Sequence, residues 1–208
     1  MSPRTTDRSR KELRNDLLNA TNVLMQEDGL EGFSLTRAAE NADTSKQMIY
    51  TLFGSKADLI KGVYDHKIDD FADHLEETEG DDPVHTLLKY ALAYRDWILE
   101  NESMFDLLFS MELHQQFEER EDDVLERNVL FDYYDEQVRE AIDQGIIDES
   151  VDVKSLSESL WAAANGSLRL EVLDFYEDEE TAKEQFVNTV SGVFWGCGTV
   201  LPDMNEEN

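Results

Sequence analysis

Apolar positions recur at helical spacing along almost the whole chain. From Arg10 onward, Leu13, Leu17, Ala20, Thr21 and Leu24 follow one face, which predicts an amphipathic helix stopping around Asp28-Gly29. Beyond the loop from Gly29 to Gly32, Ser34 is placed to cap a short helix through Ala42, with Leu35, Ala38 and Ala39 turned inward. Asp43-Thr44 interrupts the pattern, and Ser45 caps a third helix that runs to about Leu52. Gly54 ends that helix. Ser55-Lys56-Ala57-Asp58 then has the form of a capping box with Asp in its fourth position, opening a longer helix to about Glu79.

Gly80-Asp81-Asp82-Pro83 is the clearest punctuation, because Asp suits a helix N-cap and Pro the first helical position. Further helices are predicted near 83–101, 102–118, 122–144, 152–175 and 179–200, with Gly145 as a C-cap and Asp148 to Ser150 as turn chemistry. Val/Ile/Thr alternation long enough for a sheet does not occur, and neither does an internal repeat. The expected fold class is all-α, with about nine helices: an N-terminal three-helix helix-turn-helix head over 1–55, joined to a C-terminal helical bundle over 56–208.

Charge separates the same two parts. Of 18 Lys/Arg and 48 Asp/Glu, the stretch through Lys67 holds ten of each, so the whole formal charge of -30 lies after it. Aromatic residues make up 10% of the chain and apolar residues 40%, which argues for a packed core in spite of the acidity. An acidic excess spread over every later helix fits a solvated surface suited to a high-salt cytoplasm, and so a halophilic source. At molar salt the Debye length is only about 3 Å and self-repulsion is screened. The N-terminus has no apolar signal region, and no stretch reaches the ~20 apolar residues of a membrane span; a cytoplasmic protein is expected. Cys197 is the single cysteine, which excludes an intrachain disulfide and multi-cysteine zinc sites and reads as a buried thiol.

Phe33 to Leu59 resembles the DNA-binding segment of the TetR/AcrR family of transcriptional regulators. The specific part is Ser45-Lys46 followed by Ile49-Tyr50, Phe53-Gly54-Ser55-Lys56 and Asp58-Leu59. Later, Asp82-Pro83, Ala93-Tyr94-Arg95, Met104-Phe105 and Trp161 to Gly166 resemble a subgroup whose regulatory domain carries a Trp then His-Gly signature. Three positions depart from the pattern. Asp43 stands at a turn usually held by Gly, Gln47 where Gly or Ala is common, and Asn165 where the subgroup has His. Asp tolerates a left-handed backbone, so the turn is expected to survive.

In a helix from Lys46 to Leu52, Ile49 and Leu52 turn toward the core with Phe53, which leaves Lys46, Gln47, Tyr50 and Thr51 for a DNA groove. Lys46 and Gln47 are the candidate base readers, since glutamine pairs bidentately with adenine. Tyr50, Lys56, Thr36 and Arg37, with Ser45 at the helix start, are the candidate phosphate contacts. Arg8, Arg10, Lys11 and Arg14 form either a basic arm on the DNA backbone or solubilising charge.

The family resemblance further implies an inducer pocket in the bundle. Tyr94, Trp97, Phe105, Phe109, Tyr133, Trp161 and Asn165 are the expected lining for a small apolar or aromatic molecule, although most aromatics in this region belong to a core. Arg95 and Arg169 meet either a ligand carboxylate or nearby Asp and Glu. Ala163, Gly166, Val190, Gly192, Val193 and Gly196 lie on the last two helices as a homodimer face, where small residues favour close helix approach. His66, Asp70 and His74 share one stripe of the connector helix, but three donors spread over two turns do not close on one ion. No Gly-rich phosphate loop, di-iron spacing or nucleophile constellation occurs. The expected function is a ligand-responsive repressor of a near-palindromic operator, acting without a cofactor. The alternatives are a regulator answering to a protein or to salt, and a helical enzyme or metal-binding bundle without DNA binding.

Overall fold

The computed structural model describes residues 9–110 and 129–196. Among them, every regular element is a helix, nine in all. They are α1 (Arg10–Gly32), α2 (Leu35–Asn41), α3 (Lys46–Phe53), α4 (Lys56–Glu76), α5 (Pro83–Glu100), α6 (Glu102–Leu108), α7 (Val129–Asp143), α8 (Val153–Val172) and α9 (Glu179–Gly196). The chain forms two compact units, one of Met1–Ala72 with Glu100–Arg127, the other of Asp73–Leu99 with Asn128–Asn208.

In the first unit α1 packs on α2 and α6, and α2 packs on α3. Leu17, Leu18, Leu24, Met25, Ala38, Ile49 and Leu59 form its core. Helix α1 opens with a capping box that the periodicity did not announce: Glu12 N donates to Ser9 Oγ at 3.1 Å and Ser9 N to Glu12 Oε2 at 2.8 Å. The predicted stop at Asp28-Gly29 marks a kink rather than an end. Gly29 takes φ 75°, and one more turn carries the helix to Gly32. The N-cap at Ser55 forms, with Asp58 N donating to Ser55 Oγ at 3.0 Å, and Asp58 Oδ2 accepts from the Ser55 hydroxyl at 2.6 Å in place of the backbone N–H of a full capping box. Helix α6 is much shorter than expected. It stops at Leu108, where Ser110 N donates to Leu107 O at 3.2 Å and tightens the last turn.

In the second unit α8 packs on α7 and α9. Asp82 caps α5 ahead of Pro83, its Oδ1 accepting from His85 N at 2.8 Å. Asp152 and Asp178 cap α8 and α9 in the same way, accepting from Ser155 N at 2.8 Å and Thr181 N at 2.7 Å. Gly145 ends α7 in the left-handed region at φ 72°. Asp174 does the same after α8 at φ 52°, with Phe175 N donating back to Leu170 O at 3.1 Å. That cap ends α8 at Val172, three residues short of the span the periodicity suggested. The expected helical stretches 111–118, 122–128 and 197–200, and with them Cys197, lie outside the described residues.

Candidate functional site

The junction of α2 and α3 is set by backbone chemistry. Thr44 N donates to Ala39 O at 2.8 Å and Asp43 N to Glu40 O at 3.1 Å, the two bonds of a Schellman cap. Asp43 occupies its left-handed position at φ 49°, so an aspartate does the work of the usual glycine. Ser45 then caps α3, its Oγ accepting from Met48 N at 3.3 Å. Its hydroxyl serves the helix itself. Ile49 is fully buried, which stabilises the packing of α3 by roughly 2–3 kcal/mol and fixes which side of the helix faces outward. Lys46, Gln47, Met48, Tyr50 and Thr51 are left exposed. Thr51 Oγ1 donates to Gln47 O at 2.9 Å. Met48 is missing from the sequence-derived set, since methionine reads by default as core; its exposure of 36% shows otherwise.

The cations of this unit divide into engaged and solvent-facing groups. Arg37 pairs with Glu27 at 2.9 Å and with Asp28, so two carboxylates of α1 hold the guanidinium expected at phosphate. All three side chains are substantially exposed, and such a pair is worth only about 0–1 kcal/mol, little enough for a phosphate to displace. Lys56 Nζ donates to Phe33 O at 3.4 Å and lies 4.3 Å from the centre of the Phe33 ring. Arg14 places its guanidinium carbon 4.9 Å from the Phe53 ring centre. Arg10 and Lys11 are exposed in the first turn of α1, and Thr36 is exposed on α2. Arg8 lies outside the described residues.

The residues expected to line a pocket do not all come together. Tyr94, Trp97, Trp161 and Asn165 do, in the second unit. The buried Tyr94 Oη donates to Asn165 Oδ1 at 2.9 Å, Asn165 Nδ2 donates to Trp161 O at 2.8 Å, and Trp97 stacks on Tyr94 with ring centres 6.2 Å apart. Trp161 in turn packs on Phe131 at 6.0 Å. Asn165, standing where the resembled subgroup has His, thus ties α5 to α8. Tyr133 packs instead against Tyr90 at 6.2 Å and donates to Glu76 Oε1 at 3.0 Å. Burial first, and then that carboxylate, push its hydroxyl up to about 12, so it stays a donor at neutral pH. Phe105 and Phe109 belong to the first unit, where their rings meet edge to face at 5.0 Å.

Arg95 is 1% exposed and is taken up inside the protein. Its Nε donates to Glu171 Oε2 at 2.9 Å, a second nitrogen bonds Glu171 Oε1, and a third meets Asp96 at 2.9 Å. Of the expected dimer residues, Val190 is buried within the protomer at 1% exposure and serves the packing of α8 on α9. Ala163 and Val193 are half-buried, while Gly166, Gly192 and Gly196 are exposed. A Cβ added at Gly166 or Gly192 would meet nothing within 4 Å. Four large apolar side chains that the spacing did not single out also stand in solvent on these helices and their turn: Leu170, Leu173, Phe175 and Trp195, the last 82% exposed. On α4, His66 Nδ1 lies 3.9 Å from Asp70; among the described residues no group of three His, Cys, Asp or Glu side chains is placed to hold a metal ion. No helix among them is long and apolar enough to cross a membrane.

Residues 17–63 match the family model of bacterial regulatory proteins, tetR family, a span that runs from within α1 through the α2–α3 junction into α4. No curated protein is significantly similar to the chain. Several solved structures share its fold. One is the transcriptional regulator FadR of Bacillus subtilis in complex with stearoyl-CoA, with a TM-score of 0.67, 16% identity, and coverage of 90% of this chain and 99% of that one. The fatty acid degradation regulator FadR of Bacillus halodurans gives 0.66 and 14% over 94% and 96%. A TetR/AcrR-family transcriptional regulator of Thermobifida fusca gives 0.61 and 19% over 86% and 97%.

Proposed function

We propose that this chain, with a tetR-family segment at its N-terminus and a helical regulatory part after it, is a DNA-binding transcriptional regulator. It acts as a repressor released from its operator by a small apolar or aromatic ligand. The observation that carries the reading is the build of α3: capped by Ser45, anchored by Ile49, and presenting Lys46, Gln47, Tyr50 and Thr51 to solvent within the span that matches the family model. A helix of this kind lays its outward side chains along the major groove while its neighbours meet the backbone. The DNA-binding domain ends near residue 55 in this reading, and residues from 56 onward bind ligand and dimerise. The Tyr94, Trp97, Trp161 and Asn165 cluster is the part of the expected lining that favours an apolar or aromatic ligand; the stearoyl-CoA complex of the Bacillus subtilis regulator offers a long acyl chain as one such molecule. Asn165 in place of His sets the chain at the margin of the subgroup it resembles. Release follows from linkage, since a ligand that prefers the conformation unfit for the operator weakens DNA binding by the same coupling energy with which DNA weakens ligand binding.

Selection from randomised duplexes in concentrated KCl tests the reading. The wild type is expected to enrich a near-palindrome, Gln47→Ala to alter the preferred bases, and Tyr50→Phe to weaken all duplexes about equally. Failure of the wild type to enrich any sequence rules it out.

The repressor is proposed to be a homodimer working in a salt-rich cytoplasm. Each helical glycine costs roughly 1 kcal/mol relative to alanine, and nothing inside the protomer requires Gly166 or Gly192 to lack a Cβ. Close approach of a second copy along α8 and α9 offsets that cost. Gly192→Leu is therefore expected to leave the helical content of the protomer intact and to shift sedimentation from dimer toward monomer. A dimer of unchanged affinity moves the interface elsewhere.

A further inference from the structure

Among the described residues nine large apolar side chains stand exposed, and two of them, Met48 and Tyr50, lie on the eight residues of α3. Tyrosine carries a hydroxyl that suits a wet surface. Methionine carries nothing of the kind. Single exposed apolar residues are ordinary on protein surfaces, but Met48 follows Gln47 directly in α3 and stands in solvent about 100° round the helix from the buried Ile49. Only its backbone N–H takes part in the cap at Ser45.

We propose that Met48 is a base-reading residue, meeting the C5-methyl group of a thymine in the major groove, so that each operator half-site carries a T·A pair beside the base read by Gln47. The proposal rests on the DNA-binding reading above and adds a named contact to it. Of the four bases only thymine presents a methyl group in the major groove, and an apolar side chain is the partner that recognises it. The flexible, polarisable thioether adapts to such a contact at little steric cost. Charge points the same way. Counterion release drives binding weakly at high salt. An apolar contact keeps its strength there, because salt screens charges and does not weaken burial.

The experiment uses the full-length protein and the duplex obtained by selection. Each thymine of one half-site is replaced singly by deoxyuridine, which removes the methyl group and leaves base pairing intact. Loss of one buried methyl corresponds to about fourfold weaker binding, expected at one position only. Met48→Ala is expected to bind the thymine duplex severalfold more weakly and to be indifferent to deoxyuridine at that position, whereas Met48→Leu retains the discrimination. Met48 is exposed and Ile49 is untouched, so circular dichroism of both variants should match the wild type. Equal loss in wild type and Met48→Ala at every thymine, or no loss at any, overturns the assignment while leaving specific DNA binding in place. Absence of any selected duplex overturns both readings together.

Discussion

Arg95→Ala is expected to destabilise the second unit by about 3–5 kcal/mol, the usual cost of removing one partner of a buried ion pair. The guanidinium is 1% exposed and Glu171, which it grips with two nitrogens, is 10% exposed. The loss exceeds what the missing hydrogen bonds are worth, because Glu171 is left as a carboxylate out of water with no cation beside it. Asp96, itself 59% exposed, is resolvated at little cost. Arg95→Met combined with Glu171→Leu should recover most of the stability, since an apolar pair of similar volume removes both desolvation penalties. Urea titration followed by far-ultraviolet circular dichroism reads both effects. A single variant within 1 kcal/mol of wild type would mean that water reaches the guanidinium.

The melting temperature is expected to rise steeply with KCl. Thirty uncompensated negative charges lie on residues 68 to 208, and their repulsion extends over about 10 Å at 0.1 M salt but only about 3 Å at 1 M. Salt also weakens the exposed pairs Lys61–Asp65, Arg139–Asp135 and Lys154–Glu158, yet each contributes at most about 1 kcal/mol. Repulsion is the larger effect. For a chain of this size each kcal/mol of relief raises the midpoint by about 2–4 °C, so a gain of about 10 °C between 0.1 M and 2 M KCl is the expected scale. Calorimetry across a KCl series measures it, and a midpoint independent of KCl would remove the high-salt reading of the acidic surface.

Much of the candidate site was legible in the chain. Ser45, Asp43 and the cap at Ser55 announce themselves because capping is local: a serine hydroxyl lies within three residues of the N–H it satisfies, and Asp43 needs only its own left-handed backbone. The outward set on α3 follows from the single inward Ile49 and the helical repeat. Arg37, Lys56 and Arg95 were harder to place. A cation on a predicted helix reads as a phosphate or ligand contact, but Arg37 finds its carboxylates nine and ten residues back, Lys56 finds Phe33 at a separation of 23, and Arg95 finds Glu171 at 76. Periodicity assigned Val190 to an outward face and passed over Met48, because it reports that a position is apolar and not which neighbour covers it.

The sequence by itself determined the all-helical class, most of the breaks between helices, the neutral head and the acidic remainder. Each depends on the residue's own chemistry or on partners within one turn, so short-range order suffices. Only the tertiary structure decided which cations remain in solvent, that α6 ends at Leu108 and packs on α1, that Tyr94, Trp97, Trp161 and Asn165 gather while Tyr133 turns to Glu76, and that Gly166 and Gly192 face open space. Those outcomes are settled by which helix faces meet once the core is buried. Partners seventy residues apart leave no periodic trace in the chain that brings them together.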